Sequence, residues 1–206
     1  MPPRGRSRPQ QRRAVEMRRR LLDSAGKLLS KHGVEWVTTQ AIADAAHVSI
    51  GTVYRYFPDR SAILAELADE AAREISYELV EAVGRAMRHD VESAALIVVE
   101  ALTAACEKHA RILAAGAGPS SFDIPPYLNR MTVQEVERSL LPLGSAIPRR
   151  ARPDLSQNEL DDLVFLTMGV TSSACLRIAL QRPPGSDRDR MVAVTAKMLA
   201  AALTAN

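Results

Sequence analysis

The chain has 206 residues, 47% of them hydrophobic and 25% charged, which suffices for one large domain or a small domain joined to a larger one. Two cysteines far apart, Cys106 and Cys175, argue against a disulfide framework and for a reduced, cytoplasmic compartment. No run approaches the ~18 apolar residues of a membrane span, and the basic N-terminus lacks the apolar segment of a secretory signal. The net charge of +3 is unevenly spread: residues 1–60 hold 12 basic and 5 acidic groups (+7), the remainder 15 and 19 (−4). That concentration of positive charge is the footprint expected of a nucleic-acid reader.

Residues 1–10 carry Arg4, Arg6 and Arg8 among Pro, Gly, Ser and Gln, the composition of a disordered basic arm. Such an arm either follows phosphates or a minor groove, or is a solvated tail. Helical periodicity then predicts a helix over 11–32, with Val15, Leu21, Leu22, Ala25, Leu28 and Leu29 inward and Gly33 as its stop. Trp36 is expected to pack as core against this helix. Next comes TTQAIADAAHVSIGTVYRYF, residues 38–57, which has the layout of a helix-turn-helix. Thr38 and Ser49 are placed to cap its two helices. Ala41, Ile42, Ala45 and Ala46 should face inward on the first, Val53 and Phe57 on the second, with Val48 plugging the turn between them. Ile50, Thr52, Arg55 and Tyr56 then face outward or sideways. Gly51 costs helix stability, and makes sense where backbone must come close to a neighbour such as a phosphate.

The run from about Arg12 to Leu67 resembles the N-terminal domain of the tetracycline-repressor (TetR) family. The matching pieces are LLSKHG, then WVTTQAIADAAHVSIGTVYRYF, then PDRSAIL. The resemblance covers about a quarter of the chain. It implies that Thr38, Thr39 and Gln40 touch phosphate and the groove edge. It makes Ser49, Ile50, Gly51 and Thr52 the first turn of a recognition helix. Tyr54 and Tyr56 become its phosphate-clamping aromatics, and Arg60 a basic residue on the DNA backbone. Ile50 departs from the polar reader of many relatives, and is suited to a thymine methyl or to shape. Pro58 and Asp59 replace a more basic turn.

Beyond residue 58 the chain reads as helices. One is expected over 59–88, linking head to body, and another over 91–115, capped by Asp90. A Gly-, Pro- and Ser-rich loop follows, then a helix over 127–141 and a second loop over 142–155. Ser156 and Glu159 form a capping-box pattern before a helix to about Leu180. A break over 181–185 precedes the last helix, opened by Ser186 and Asp189. Small residues Gly169, Ser172, Ser173 and Ala174, and the spacing of Met191, Val194, Met198, Leu199 and Ala202, suit pairing with a second copy as a four-helix bundle, the alternative being the core of a monomer.

The expectation is an all-α protein. A basic arm over 1–10 and a three-helix DNA-binding domain over 11–58 precede a larger ligand-binding and dimerisation domain over 59–206. Candidate lining for a small-molecule site is Leu102, Cys106, His109, Leu113, Phe122, Tyr127, Met131, Phe165, Met168 and Cys175. For any one of these residues taken singly, packing of the core is the stronger explanation. Cys106 and His109 share a helical face but form no metal site by themselves. No nucleophile elbow or phosphate cradle is present, so neither enzyme activity nor a cofactor is expected. The function read from the sequence is a homodimeric regulator binding a near-palindromic DNA operator and released by a small-molecule effector. The alternatives are an architectural DNA-binding protein without a ligand, and a helical enzyme or carrier with a basic head.

Overall fold

The structure is a computed structural model describing residues 7–114 and 144–205, with side chains from residue 11 onward. Every regular element among them is a helix. They divide into a head, residues 7–69, and a body, residues 70–114 and 144–205.

In the head, α1 spans Ser7–His32, so four residues expected in the disordered arm are helical. Gly33, at φ 96°, ends it in a conformation that a side chain would strain. A single 3-10 turn, Val34–Trp36, leads to α2 (Thr39–Ala45) and α3 (Ile50–Tyr56). Helix α4, Arg60–Ala86, begins in the head and continues into the body. At seven residues each, α2 and α3 are too short to persist alone and depend on caps and packing. The head core is Leu21, Leu22, Ala25 and Leu29 of α1, Val37, Ile42, Ala43, Ala46, Val53, Phe57, and Ile63 and Leu64 of α4.

Three residues of the head depart from expectation. The buried face of α2 is Ile42, Ala43 and Ala46; Ala45 is exposed. Val15 is 63% exposed, because α1 meets the core only from Leu21 onward. Trp36 is 61% exposed and lies against His32, ring centroids 5.6 Å apart. Val37, fully buried, takes the core position expected of the tryptophan.

In the body, Asp90 caps α5 (Val91–Lys108) by accepting from the Ser93 amide at 2.9 Å. The helix expected to reach 115 breaks at His109 and resumes as α6, Ala110–Ala114. Part of the loop expected over 142–155 is a short helix, α7, Ala146–Ala151. Its Pro148 sits in the first turn, where a missing N–H costs little. The capping box expected at the start of α8 (Gln157–Gln181) is complete, with the Ser156 amide donating to Glu159 at 2.9 Å. Helix α9, Arg188–Thr204, is capped by Asp187 rather than Ser186. Val99, Leu102 and Cys106 of α5 pack against Cys175 and Ile178 of α8 and Val192, Ala196 and Ala200 of α9. The alanines let these helices approach closely. Arg188 reinforces the join, bridging Glu100 at 2.9 Å and Glu107 at 2.8 Å.

Helix α8 is apolar on two sides. Leu160, Val164, Thr167, Thr171, Cys175 and Ile178 are buried at helical spacing, while Phe165, Leu166, Val170 and Leu176 point outward. By length and composition it is therefore apolar enough to cross a membrane, contrary to the expectation that no segment comes near this. Two apolar faces, rather than an unbroken apolar run, account for it.

Candidate nucleic-acid interface

The two short helices of the head are organised by their caps. Thr38 Oγ1 accepts from the Ala41 amide at 3.1 Å, and Ser49 Oγ from the Thr52 amide at 3.2 Å. Ser49 also shares a hydrogen bond with the Thr52 hydroxyl at 2.9 Å. Between them the chain reverses through His47, whose φ of 52° is left-handed, and the Val48 amide donates to the Ala43 carbonyl at 3.0 Å. Val53 and Phe57 are buried and fix which side of α3 faces outward.

The outward side carries most of the expected contact residues. Thr38, Gln40, Ser49, Ile50, Gly51, Tyr54 and Arg55 are exposed, while Thr39, Thr52 and Tyr56 are half-buried. The Thr39 and Tyr54 hydroxyls lie 3.5 Å apart, so the start of α2 and the middle of α3 meet in one polar surface. Gln40 is held along α2 by Asp44 at 2.9 Å. The Arg55 guanidinium lies 5.2 Å from the centre of the Tyr56 ring. A Cβ at Gly51 would meet only Ser49 Oγ, at 3.9 Å, so nothing within the chain requires glycine there.

Arg60 is the exception. Its Nε donates to the Val37 carbonyl at 2.7 Å and its Nη2 to the Val34 carbonyl at 2.6 Å. The side chain expected on a phosphate is directed into the turn before α2. Two further arginines, which the sequence reading did not single out, behave alike. Arg18 donates to the Tyr56 carbonyl at 2.9 Å, pairs with Glu66, and lies 4.3 Å over the Phe57 ring. Arg20 donates to the Ala46 carbonyl at the end of α2. Partners 26 to 48 residues apart leave no local signal in the sequence.

Residues 21–67 match the model of the bacterial regulatory proteins of the tetR family. Over these residues the head is similar to that of the tetR family. Over 49 residues the chain is 47% identical to the HTH-type transcriptional repressor KstR of Mycobacterium tuberculosis, a match covering 24% of this chain and 22% of that protein. KstR of Rhodococcus jostii matches at the same identity over the same length, 23% of that protein. The chain thus spans about a fifth of the length of the curated relatives it matches. Similar solved structures extend past the TetR-type head. A Thermus thermophilus TetR-family repressor, FadR, solved with lauroyl-CoA, matches with a TM-score of 0.59 at 22% identity, over 88% of this chain and 92% of that one. The fatty acid degradation regulator FadR of Bacillus halodurans matches with a TM-score of 0.60 at 18% identity, over 89% and 94%. At those identities the likeness establishes the fold: a TetR-type head followed by a larger helical body.

The described residues among those expected to line a ligand site lie in different surroundings. Leu102, Cys106 and Cys175 belong to the close-packed core of the body, and Leu113 packs against it. Burial pushes the Cys106 thiol up to about 12 and raises Cys175 as well, which makes both poor nucleophiles. His109 ends α5, with Nε2 buried 3.3 Å from Glu74 of α4. Met168 lies against Gly144, where a Cβ would collide with its sulfur. Phe165 is 76% exposed on the outer side of α8, so within one chain it lines no interior site. Phe122, Tyr127 and Met131 lie outside the described residues.

Proposed function

We propose that this protein is a dimeric transcriptional regulator that binds a near-palindromic DNA operator and is released from it by a small molecule. One observation carries the reading: a TetR-type head whose recognition helix turns Ile50, Gly51, Tyr54 and Arg55 outward. Gly51 supports it, because glycine in a helix costs about 1 kcal/mol relative to alanine and the chain itself leaves room for a side chain there. A close approach by DNA supplies the missing reason. In this reading Thr39, Gln40, Ile50, Gly51 and Thr52 face base edges, and Thr38, Ser49, Tyr54, Arg55 and Tyr56 serve the backbone.

Dimerisation is proposed through α8 and α9. Phe165, Leu166 and Val170 of α8 and Val194 and Met198 of α9 are each at least half exposed, more apolar surface than a helix facing water carries. Pairing with a second copy would bury it and set two readers on one duplex. The repressor solved with lauroyl-CoA makes an acyl thioester the first effector class to test.

Selection from a random duplex pool tests the reading. The expected winner is a near-palindrome, with half-sites about one helical turn apart or a multiple, bound by two chains in sedimentation. A pool showing no enrichment, or one chain per duplex, would overturn it. Calorimetry with lauroyl-CoA, with and without the selected duplex, tests the effector arm. Linkage requires DNA to weaken ligand binding by the factor by which ligand weakens DNA binding.

A further inference from the structure

We propose that Arg60 is a positioning residue for operator binding, setting the start of α2 from the first residue of α4, and not a phosphate contact. The inference rests on the DNA-binding reading above. Its basis is where the guanidinium is spent. Arg60 Nε and Nη2 grip the carbonyls of Val37 and Val34, at 2.7 and 2.6 Å. These two carbonyls belong to the turn that delivers the chain to α2. Val37 is neither helical nor extended, at φ −80° and ψ 75°, and Thr38 then becomes extended, at φ −104° and ψ 155°, to cap α2. The amides of Trp36, Val37 and Thr38 close this turn locally, donating to the carbonyls of Gly33, Val34 and Trp36 at 3.2, 3.1 and 2.9 Å, but none of these bonds ties it to α4. The planar fork of one arginine holds both carbonyls at once.

The other end of the reader is referenced to the same helix. Arg18 holds the Tyr56 carbonyl, within the last turn of α3, and pairs with Glu66 on α4. Residues 60 and 66 of α4 therefore fix where α2 begins and where α3 ends. Any movement that drew Nε and Nη2 off these carbonyls towards a phosphate would take from Thr38, Thr39 and Gln40 the bonds that set the start of α2.

Salt dependence and charge-conserving replacement separate positioning from a direct phosphate bond. The probe is the duplex selected by the wild-type protein, compared with a scrambled duplex. Arg60→Lys keeps the charge but cannot fork to two carbonyls. It is expected to lower the ratio of specific to non-specific affinity by roughly tenfold, with the slope of log affinity against log salt unchanged. Arg60→Met should do the same. In Arg60→Lys the amides of Thr38 to Ala41 should also exchange faster with solvent. A phosphate-binding arginine predicts otherwise: Arg60→Met would make the slope shallower by ~0.9 for each phosphate no longer neutralised, and Arg60→Lys would restore both slope and affinity. That pattern overturns the proposal. So does a lower Tm with an unchanged specificity ratio, which marks a merely structural residue. If Arg60→Met does not fold, Arg60→Lys and its amide exchange decide the matter. If no duplex is selected at all, the DNA-binding reading fails instead.

Discussion

In the head, arginines hold the ends of two short helices; in the body, packing along the helix faces carries the join. Arginines also hold helix ends in the body, Arg150 on the Met87 and His89 carbonyls after α4 and Arg152 on the Ala205 carbonyl after α9. Arg18, Arg20 and Arg60 each donate to a backbone carbonyl at or beside the end of α2 or α3. The body helices α8 and α9, of 25 and 17 residues, bury stripes along their lengths: Leu160, Val164, Thr167, Thr171, Cys175 and Ile178 on α8, and Val192, Ala196, Ala200 and Leu203 on α9. Length explains the difference. A seven-residue helix has most of its N–H and C=O groups unsatisfied within itself, so polar side chains must complete it. A long helix leaves the same groups unsatisfied at its ends, where Asp90, Ser156 and Asp187 cap the body helices, but they are a small share of its backbone, and an apolar partner holds the rest of its length. It follows that the excess positive charge of the head is partly internal scaffolding, and overstates the number of cations free for phosphate.

The largest effects should come from the head core, where few side chains do the packing. Phe57→Ala removes a ring that is 1% exposed and lies beneath Arg18. A loss of about 3–5 kcal/mol in urea unfolding is expected. A loss under 1 kcal/mol would show that the arginine clasp, not the core, holds the head.

The body should show its dependence on packing through pH. Its Cys106 thiol, ordinarily at 9.0, is pushed up to about 12, chiefly by burial. Because the folded value is the higher one, this stability is complete below about pH 9 and is lost as pH rises towards 12. The full loss is at most roughly 4 kcal/mol. Urea midpoints between pH 8 and 11 should fall more steeply for the wild type than for Cys106→Ala.

The outer side of α8 sharpens the comparison further. Phe165→Asp alters an exposed residue, so the fold of one chain should change by less than about 0.5 kcal/mol. Dimerisation, by comparison, should weaken by about 2 kcal/mol or more if Phe165 anchors the interface. Sedimentation at several concentrations measures both species. A dimer of wild-type strength would place the interface elsewhere.

On the DNA side, Ile50→Ala should shift preference at one base pair by about 1–3 kcal/mol at most. Tyr54→Phe should weaken all duplexes alike. Reversal of the two outcomes in a competition assay would show that the roles are exchanged.

The smallest effects compare two caps. Ser49→Ala and Ser156→Ala each remove a side-chain acceptor at a helix N-terminus, and each should cost about 1 kcal/mol in stability. Only the first should also weaken operator binding, because the short α3 has no further turns to absorb fraying. Equal effects on DNA affinity would remove the distinction between head and body drawn above.

The sequence alone determined the helices with strong periodicity and their caps. Thr38, Ser49, Asp90 and Ser156 all cap the helices their positions suggested. These signals are local: a side chain meeting an amide two or three residues on. It also determined that Val53 and Phe57 face inward, because helical spacing ties them together. Short-range reasoning failed where the deciding partner was distant. It placed Trp36 in the core, although Val37 occupies that place, since one residue in an irregular turn decides which side chain points inward. It gave no sign that Arg60 would donate to two carbonyls more than twenty residues away. The break of α5 at His109 and the helix around Pro148 were likewise invisible in composition. Only the tertiary structure could assign the second apolar side of α8 to the surface. Both sides of that helix carry similar residues, and burial of one depends on where α5 and α9 lie.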